Sequence, residues 1–194
     1  MEEANEGSPP RRVVLFSGHM IDAPGRPTPR FPPDREPIAE GAIAEALDNL
    51  GVGPQDLGIC GGACGGDLLF ATAAAARGAH LELYIPFEEP RFLEKSVDFA
   101  DRDWRARFFA AKARSVLHVA SRELGPTPEG EDSYERNNRW MLDAAFRFGA
   151  EKVDFVCLWN GEGGDGPGGT RHMLDEVRKR GGRALWLDTL NLWR

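Results

Sequence analysis

Apolar residues along the chain fall into two patterns. Short runs read as strands: Val13-Val-Leu-Phe16, a continuous apolar run of the kind expected for burial on both faces, then Leu57-Gly-Ile-Cys60, Leu81-Glu-Leu-Tyr-Ile85, Val116-Leu-His-Val-Ala120, Val153-Asp-Phe-Val-Cys-Leu-Trp159 and Ala184-Leu-Trp-Leu187. Between them apolar positions recur every three or four residues, the period of a helix lying on a sheet. Ile38, Ala42, Ala46, Leu47 and Leu50 form one such stripe between Pro37 and Gly51, and the nearly all-apolar stretch 67–77 forms another, capped by Gly78. Leu93, Val97, Ala100, Trp104, Phe108 and Ala111 read as one continuous helix, and Trp140, Met141, Ala144, Ala145 and Phe148 as a helix capped by Ser133 and stopped by Gly149. Met173, Leu174 and Val177 mark the last. Six strands separated by five helical segments, with no hairpin signal, predict a three-layer α/β domain with a mainly parallel sheet and right-handed crossovers. The expected strand order is 3-2-1-4-5-6, which places a ligand crevice between strands one and four.

The gaps between these elements carry the chemistry. Residues 1–11 hold Pro, Gly and charge without periodicity and read as a disordered lead-in to one domain over 12–194. From Ile21 to Pro37 six prolines, at 24, 27, 29, 32, 33 and 37, alternate with Arg26, Arg30 and Arg35, which predicts a loop over the ligand end of the sheet. Two glycine-rich turns each follow a strand and open a helix: Gly61-Gly-Ala-Cys-Gly-Gly66, and 163–169. Such turns let backbone N–H groups approach an anion while the helix dipole points at it, so a pair at one end of a sheet suits a nucleotide or sugar phosphate. Asp67 stands where a Walker A loop needs lysine, and Gly-x-Gly-x-x-Gly is not spelled, which disfavours ATP hydrolysis and hydride transfer.

Charge and cysteine content narrow the picture. Twenty-four basic against 31 acidic residues give a net charge of −7, which argues against duplex nucleic acid as a partner. The acidic start lacks a secretory pattern and no apolar run reaches membrane-spanning length, so a soluble, cytoplasmic protein without a membrane contact is expected. Cys60, Cys64 and Cys157 make neither a disulfide framework nor a four-ligand metal set; no metal and no cofactor are expected. Among single residues, Ser17, Gly18 and His19 follow strand one, and Arg30, Arg122 and Arg171 lie in loops or a helix start where a phosphate could be paired. Tyr134 is a candidate to stack on a base, and Glu135 to hold a ribose hydroxyl or act as base or nucleophile.

Ser17-Gly-His19, the Gly61–Gly66 turn, Tyr134 with Asn138, and Pro167-Gly-Gly-Thr170 together resemble the SLOG superfamily over roughly residues 12–188. That group includes the lonely-guy cytokinin phosphoribohydrolases and the DNA-processing protein A domain. The resemblance implies a Rossmann-like domain that binds nucleotides or nucleoside-derived molecules, some members cleaving the base–sugar bond and others acting as ligand sensors in bacterial signalling or defence. The phosphoribohydrolase signature, Pro-Gly-Gly-x-Gly-Thr-x-x-Glu, is altered here: Thr170-Arg-His-Met-Leu-Asp175 follows Gly169, the second Gly-Thr is missing, and Asp175 replaces the catalytic glutamate. Two readings follow. One is a sensor that holds a nucleotide-derived signal with Ser17, Gly18, His19, Arg30, Gly61, Gly62, Gly65, Gly66, Arg122, Tyr134, Asn138, Gly168, Gly169, Thr170 and Arg171. The alternative is an N-glycosidase of phosphoribohydrolase type acting on a nucleoside monophosphate, with Glu135 or Asp175 stabilising the oxocarbenium ion. Leu192-Trp193 is a candidate contact to a partner or a second copy, in a homo-oligomer.

Overall fold

The computed structural model describes residues 8–100, 103–162 and 169–194, and its centre is a six-stranded sheet of order β4-β3-β2-β1-β5-β6. The strands are β1 (Arg12–Gly18), β2 (Asp56–Cys60), β3 (His80–Ile85), β4 (Val116–Val119), β5 (Val153–Trp159) and β6 (Arg183–Asp188), and every neighbouring pair is parallel. The helices are α1 (Glu36–Leu50), α2 (Gly66–Ala76), α3 (Glu89–Ser96), α4 (Trp104–Lys112), α5 (Ala120–Glu123), α6 (Ser133–Phe146), α7 (Thr170–Lys179) and α8 (Thr189–Leu192). This is the three-layer, Rossmann-like α/β architecture that the alternation of patterns predicts.

The unbroken apolar runs of β1, β2 and β5 exist because these central strands are covered on both sides, whereas the runs of the edge strands β4 and β6 are largely exposed, with Val116, Leu185 and Trp186 among the exposed apolar side chains. Side chains of β1 alternate: Val14 and Phe16 join the core under α1 to α4, and Val13 and Leu15 join the core under α6 and α7. In β5, Val156 and Leu158 face the first layer, and Phe155, Cys157 and Trp159 the second. Asp154 interrupts that run, and its buried carboxylate is met by Arg12 at 2.9 Å and Arg183 at 2.6 Å. Asp56, at the start of β2, is likewise buried and paired with Arg11 at 2.6 Å.

The order of the strands corrects the sequence expectation. The fourth strand does not pair with β1; it lies at the far edge beside β3, and β5 takes the place next to β1. The chain winds outward from β1 through β2 and β3 to β4 with α1 to α4 on one face, then returns along the other face through α6, which lies over β1, β2 and β3. A right-handed crossover that reverses direction has to change faces, so the reversal falls between β1 and β5. Local periodicity cannot report this, because a β–α–β unit looks the same whichever neighbour its second strand chooses.

The helix expected over 93–111 is two, α3 and α4. Both sides of the break still contribute to one core, with Phe92, Leu93 and Val97 before it and Trp104, Phe108 and Ala111 after it, which is why the apolar period runs through. The cap of α6 is Asp132, whose carboxylate accepts the backbone N–H groups of Tyr134 and Glu135 at 2.9 Å each; Ser133 is the first helical residue. Trp193, weighed above as a contact for a partner, turns back on its own chain: it stacks on Phe31 at 5.5 Å, and its Nε1 donates to the Arg30 carbonyl at 3.1 Å. Among the described residues no helix is long and apolar enough to cross a membrane.

Candidate functional site

The winding reversal opens a cleft of about 490 Å³ at the carboxyl ends of β1, β2, β3 and β5. Phe16 to Met20 line it from β1, Gly61, Ala63 and Asp67 from the end of β2, and Pro86 from the end of β3. The start of α6 contributes Asp132, Tyr134, Asn137, Asn138 and Met141, while Trp159, Gly169 and Thr170 close the β5 side, and Arg30 enters from the proline-rich loop. A second cavity of about 450 Å³, between Asp22, Arg26, Pro29 and Trp104, is walled largely by proline and small residues. The polar groups converge in the first.

Several predicted residues meet there. Ser17 and Thr170, 153 positions apart, bring their hydroxyl oxygens to 3.0 Å across the winding reversal. Thr170 is the first residue of α7, its N-cap, Gly169, supplies no side-chain acceptor, and both residues line the cleft. His19 bridges the same two loops, its Nε2 lying 3.2 Å from both the backbone nitrogen and the side-chain oxygen of Asn160. Tyr134 lines the cleft and is 41% exposed, with its ring perpendicular to that of Phe87 and its hydroxyl 3.0 Å from Ser96 Oγ. The backbone of Arg30 is held by Asp22, whose carboxylate takes its N–H at 2.9 Å.

The glycine turn 61–66 meets an anion, and that anion is the chain's own. The Asp67 carboxylate accepts the Ala63 N–H at 3.2 Å and also that of Gly61. Cys64 donates its backbone N–H to Ser96 at 2.9 Å and Gly66 to the His19 carbonyl at 3.1 Å. Of the four glycines only Gly61 lines the cleft. Gly65 has φ +100°, and a Cβ there would lie 2.5 Å from the Ile21 nitrogen, because the chain after β1 bridges to it through Met20. Gly66 lets the Phe16 ring approach to 3.1 Å of its Cβ position, and Gly62 faces Phe108 and Leu83. Gly65 and Gly66 serve the seating of the β1 loop on α2, and Gly62 the packing of the turn against α4 and β3.

Other candidates stand apart from the cleft. Arg122 is engaged by Glu88 on the β4 side of the sheet. Glu135 lies 3.6 Å from Arg139, and Arg171 and Asp175 form an exposed pair at 4.0 Å on α7; none of them lines the cleft. Gly168 and the rest of 163–168 lie outside the described residues.

Sequence reasoning passed over Asp67, Asp132 and Asn137. The one available signal for Asp67 was its position at the end of a glycine turn, where it registered only as a missing lysine. Burial pushes its carboxyl up to about 7, with the N–H groups of Ala63 and Gly61 pulling the other way. Neighbouring thiols are inert: burial raises Cys60 well above the usual thiol range and Cys64 to about 12, the Asp67 charge adding to both. Among the described residues no group of three His, Cys, Asp or Glu side chains is placed to hold a metal ion.

No family model matches the sequence, and no curated protein matches it significantly. Among solved structures the chain is similar to DNA processing protein A from Streptococcus pneumoniae, at 11% identity and a TM-score of 0.38. The likeness covers 95% of this chain and 61% of that one, so the chain spans about three-fifths of the protein it matches.

Proposed function

We propose that the cleft binds a nucleotide or nucleotide-derived molecule and that the protein acts as a ligand sensor in signalling or defence. The observation that carries this reading is the junction of β1 with α7, where Ser17, Thr170 and Gly169, the N-cap of α7, line the cleft together and the two hydroxyl oxygens meet at 3.0 Å. Phosphate belongs at that junction, with the Arg30 side chain as the cation on the cleft wall. A base belongs farther along, against the Tyr134 ring and within reach of Asn138. The glycine turn 61–66 shapes the wall between these places and leaves the phosphate to α7.

The N-glycosidase reading loses Glu135 and Asp175 as candidates inside the cleft and gains Asp67, a carboxyl near half-ionisation at neutral pH. One experiment weighs both readings. The purified protein is incubated with nucleoside monophosphates, NAD, ADP-ribose and cyclic dinucleotides, thermal shifts are followed, and the mixtures are chromatographed for released base. A thermal shift with intact nucleotide supports the sensor. Enzyme-dependent release of base establishes the hydrolase, and no shift with any member of the panel removes the nucleotide reading. Ser17→Ala combined with Thr170→Val is expected to weaken the binding of phosphate-bearing members about tenfold.

A further inference from the structure

Asn137 carries an atom that the fold leaves unanswered. It lies on α6, is 3% exposed and lines the cleft. Its Nδ2 donates to the Tyr84 carbonyl at 2.8 Å. A carbonyl only accepts, so this bond settles which way the amide faces and makes the remaining atom, Oδ1, an acceptor. Oδ1 is buried and has no hydrogen-bond partner among the described residues. Such an acceptor has lost its hydration without compensation, which calls for a donor that the described residues do not provide.

A second acceptor, the Asp67 carboxylate, lines the same cleft, with Gly61 beside it. The point where a Cβ of Gly61 would stand is 2.9 Å from Asp67 Oδ2 and 3.9 Å from the same Tyr84 carbonyl that Asn137 holds. Any side chain at 61 would fill that corner. Among the described residues no lysine or arginine pairs with Asp67, so the floor here is lined by acceptors without a fixed cation. In the sheet this corner sits at the ends of β3 and β2, while α7 begins beyond β5. Three strand spacings separate β3 from β5, roughly 14 Å at about 4.8 Å each, which suits a mononucleotide with its phosphate at α7.

We propose that this corner selects ligands presenting an amino group: a nucleobase with an exocyclic amine docks its N–H donors on Asn137 Oδ1 and the Asp67 carboxylate. The matching oxo base sets a carbonyl against acceptors and is refused. The inference rests on the nucleotide reading above and adds to it the face of the base that is read. Rejection of the oxo partner follows from the unpaired buried groups that its binding would leave.

The test compares ligands that differ at that position alone, AMP against IMP and CMP against UMP, titrated calorimetrically into the full chain at pH 8. The amino member of at least one pair is expected to bind tenfold or more tightly than its oxo partner. Asp67→Asn keeps the shape and an acceptor for the Ala63 N–H but turns a donor into the cleft, so the preference is expected to shrink or reverse. Asn137→Leu is expected to erase it, with circular dichroism confirming that the variant folds; the wild-type pairs and Asp67→Asn decide the matter if it does not. Equal affinity within both wild-type pairs, or an undiminished preference in Asp67→Asn, overturns the inference and leaves nucleotide binding standing. Failure of all four nucleotides to bind overturns both.

Discussion

At the scale of single residues, Gly65 and Asp67 show how one turn serves two masters. Gly65 holds φ +100° with Ile21 pressed against it, so Gly65→Ala brings both backbone strain and a clash with main-chain atoms that cannot swing away. Chemical denaturation is expected to find the variant destabilised by about 3 kcal/mol, whether or not ligand is present. For Asp67 the effect depends on pH. Its carboxyl titrates near 7 in the folded chain, above its unfolded value, so the unfolded chain releases its proton first and the folded form loses relative stability as pH rises from about 4 to 7. Asp67→Asn removes that loss. The variant is expected to be more stable than the parent by about 1–2 kcal/mol at pH 8 and to match it near pH 4, as thermal melts across the pH range would record.

Among elements, α6 supplies more of the cleft lining than any other helix. Asp132 caps it with two hydrogen bonds, and Tyr134, Asn137, Asn138 and Met141 then reach the cleft from its first three turns. Asp132→Ala is expected to cost about 1 kcal/mol of stability, and frayed N-terminal turns should weaken nucleotide binding more than that figure suggests. Calorimetric titration beside a denaturant melt separates the two effects. The sequence made α6 legible through its apolar period and its stop at Gly149, but it assigned the cap to Ser133 because serine and aspartate serve equally well on paper. Only the backbone of Asp132, extended at φ −79° and ψ 126°, identifies the residue outside the helix. The split of α3 from α4 escaped notice for the opposite reason: two helices that bury one continuous stripe preserve its period across the break.

Across the whole molecule, the C-terminal end and the proline-rich loop hold one another in place. Trp193 stacks on Phe31 and bonds the Arg30 carbonyl, and Arg30 lines the cleft, so the last residues of the chain support a wall of the site from behind. Trp193→Ala is expected to lower stability by about 2 kcal/mol and to weaken phosphate-bearing ligands several-fold, while leaving apolar stacking on Tyr134 untouched. Comparing the affinity of a nucleoside with that of its monophosphate in parent and variant tests this.

The chain's own pattern determined which segments are strands and helices and which ends of them carry the polar loops, because burial on both faces or on one stripe writes a local period into the residues. It therefore announced the α/β class, and Ser17, His19, Arg30, Tyr134, Asn138 and Thr170 as companions at one end of the sheet. Tertiary structure alone decided that β5 and not β4 lies beside β1, and so which loops share the crevice. It also decided that the N–H groups of a glycine turn close on Asp67, and that an amide on α6 keeps an acceptor without a donor. Neighbour choice and hydrogen-bond partners are relations between residues 4 to 153 positions apart, fixed when faces pack, and no local period encodes them.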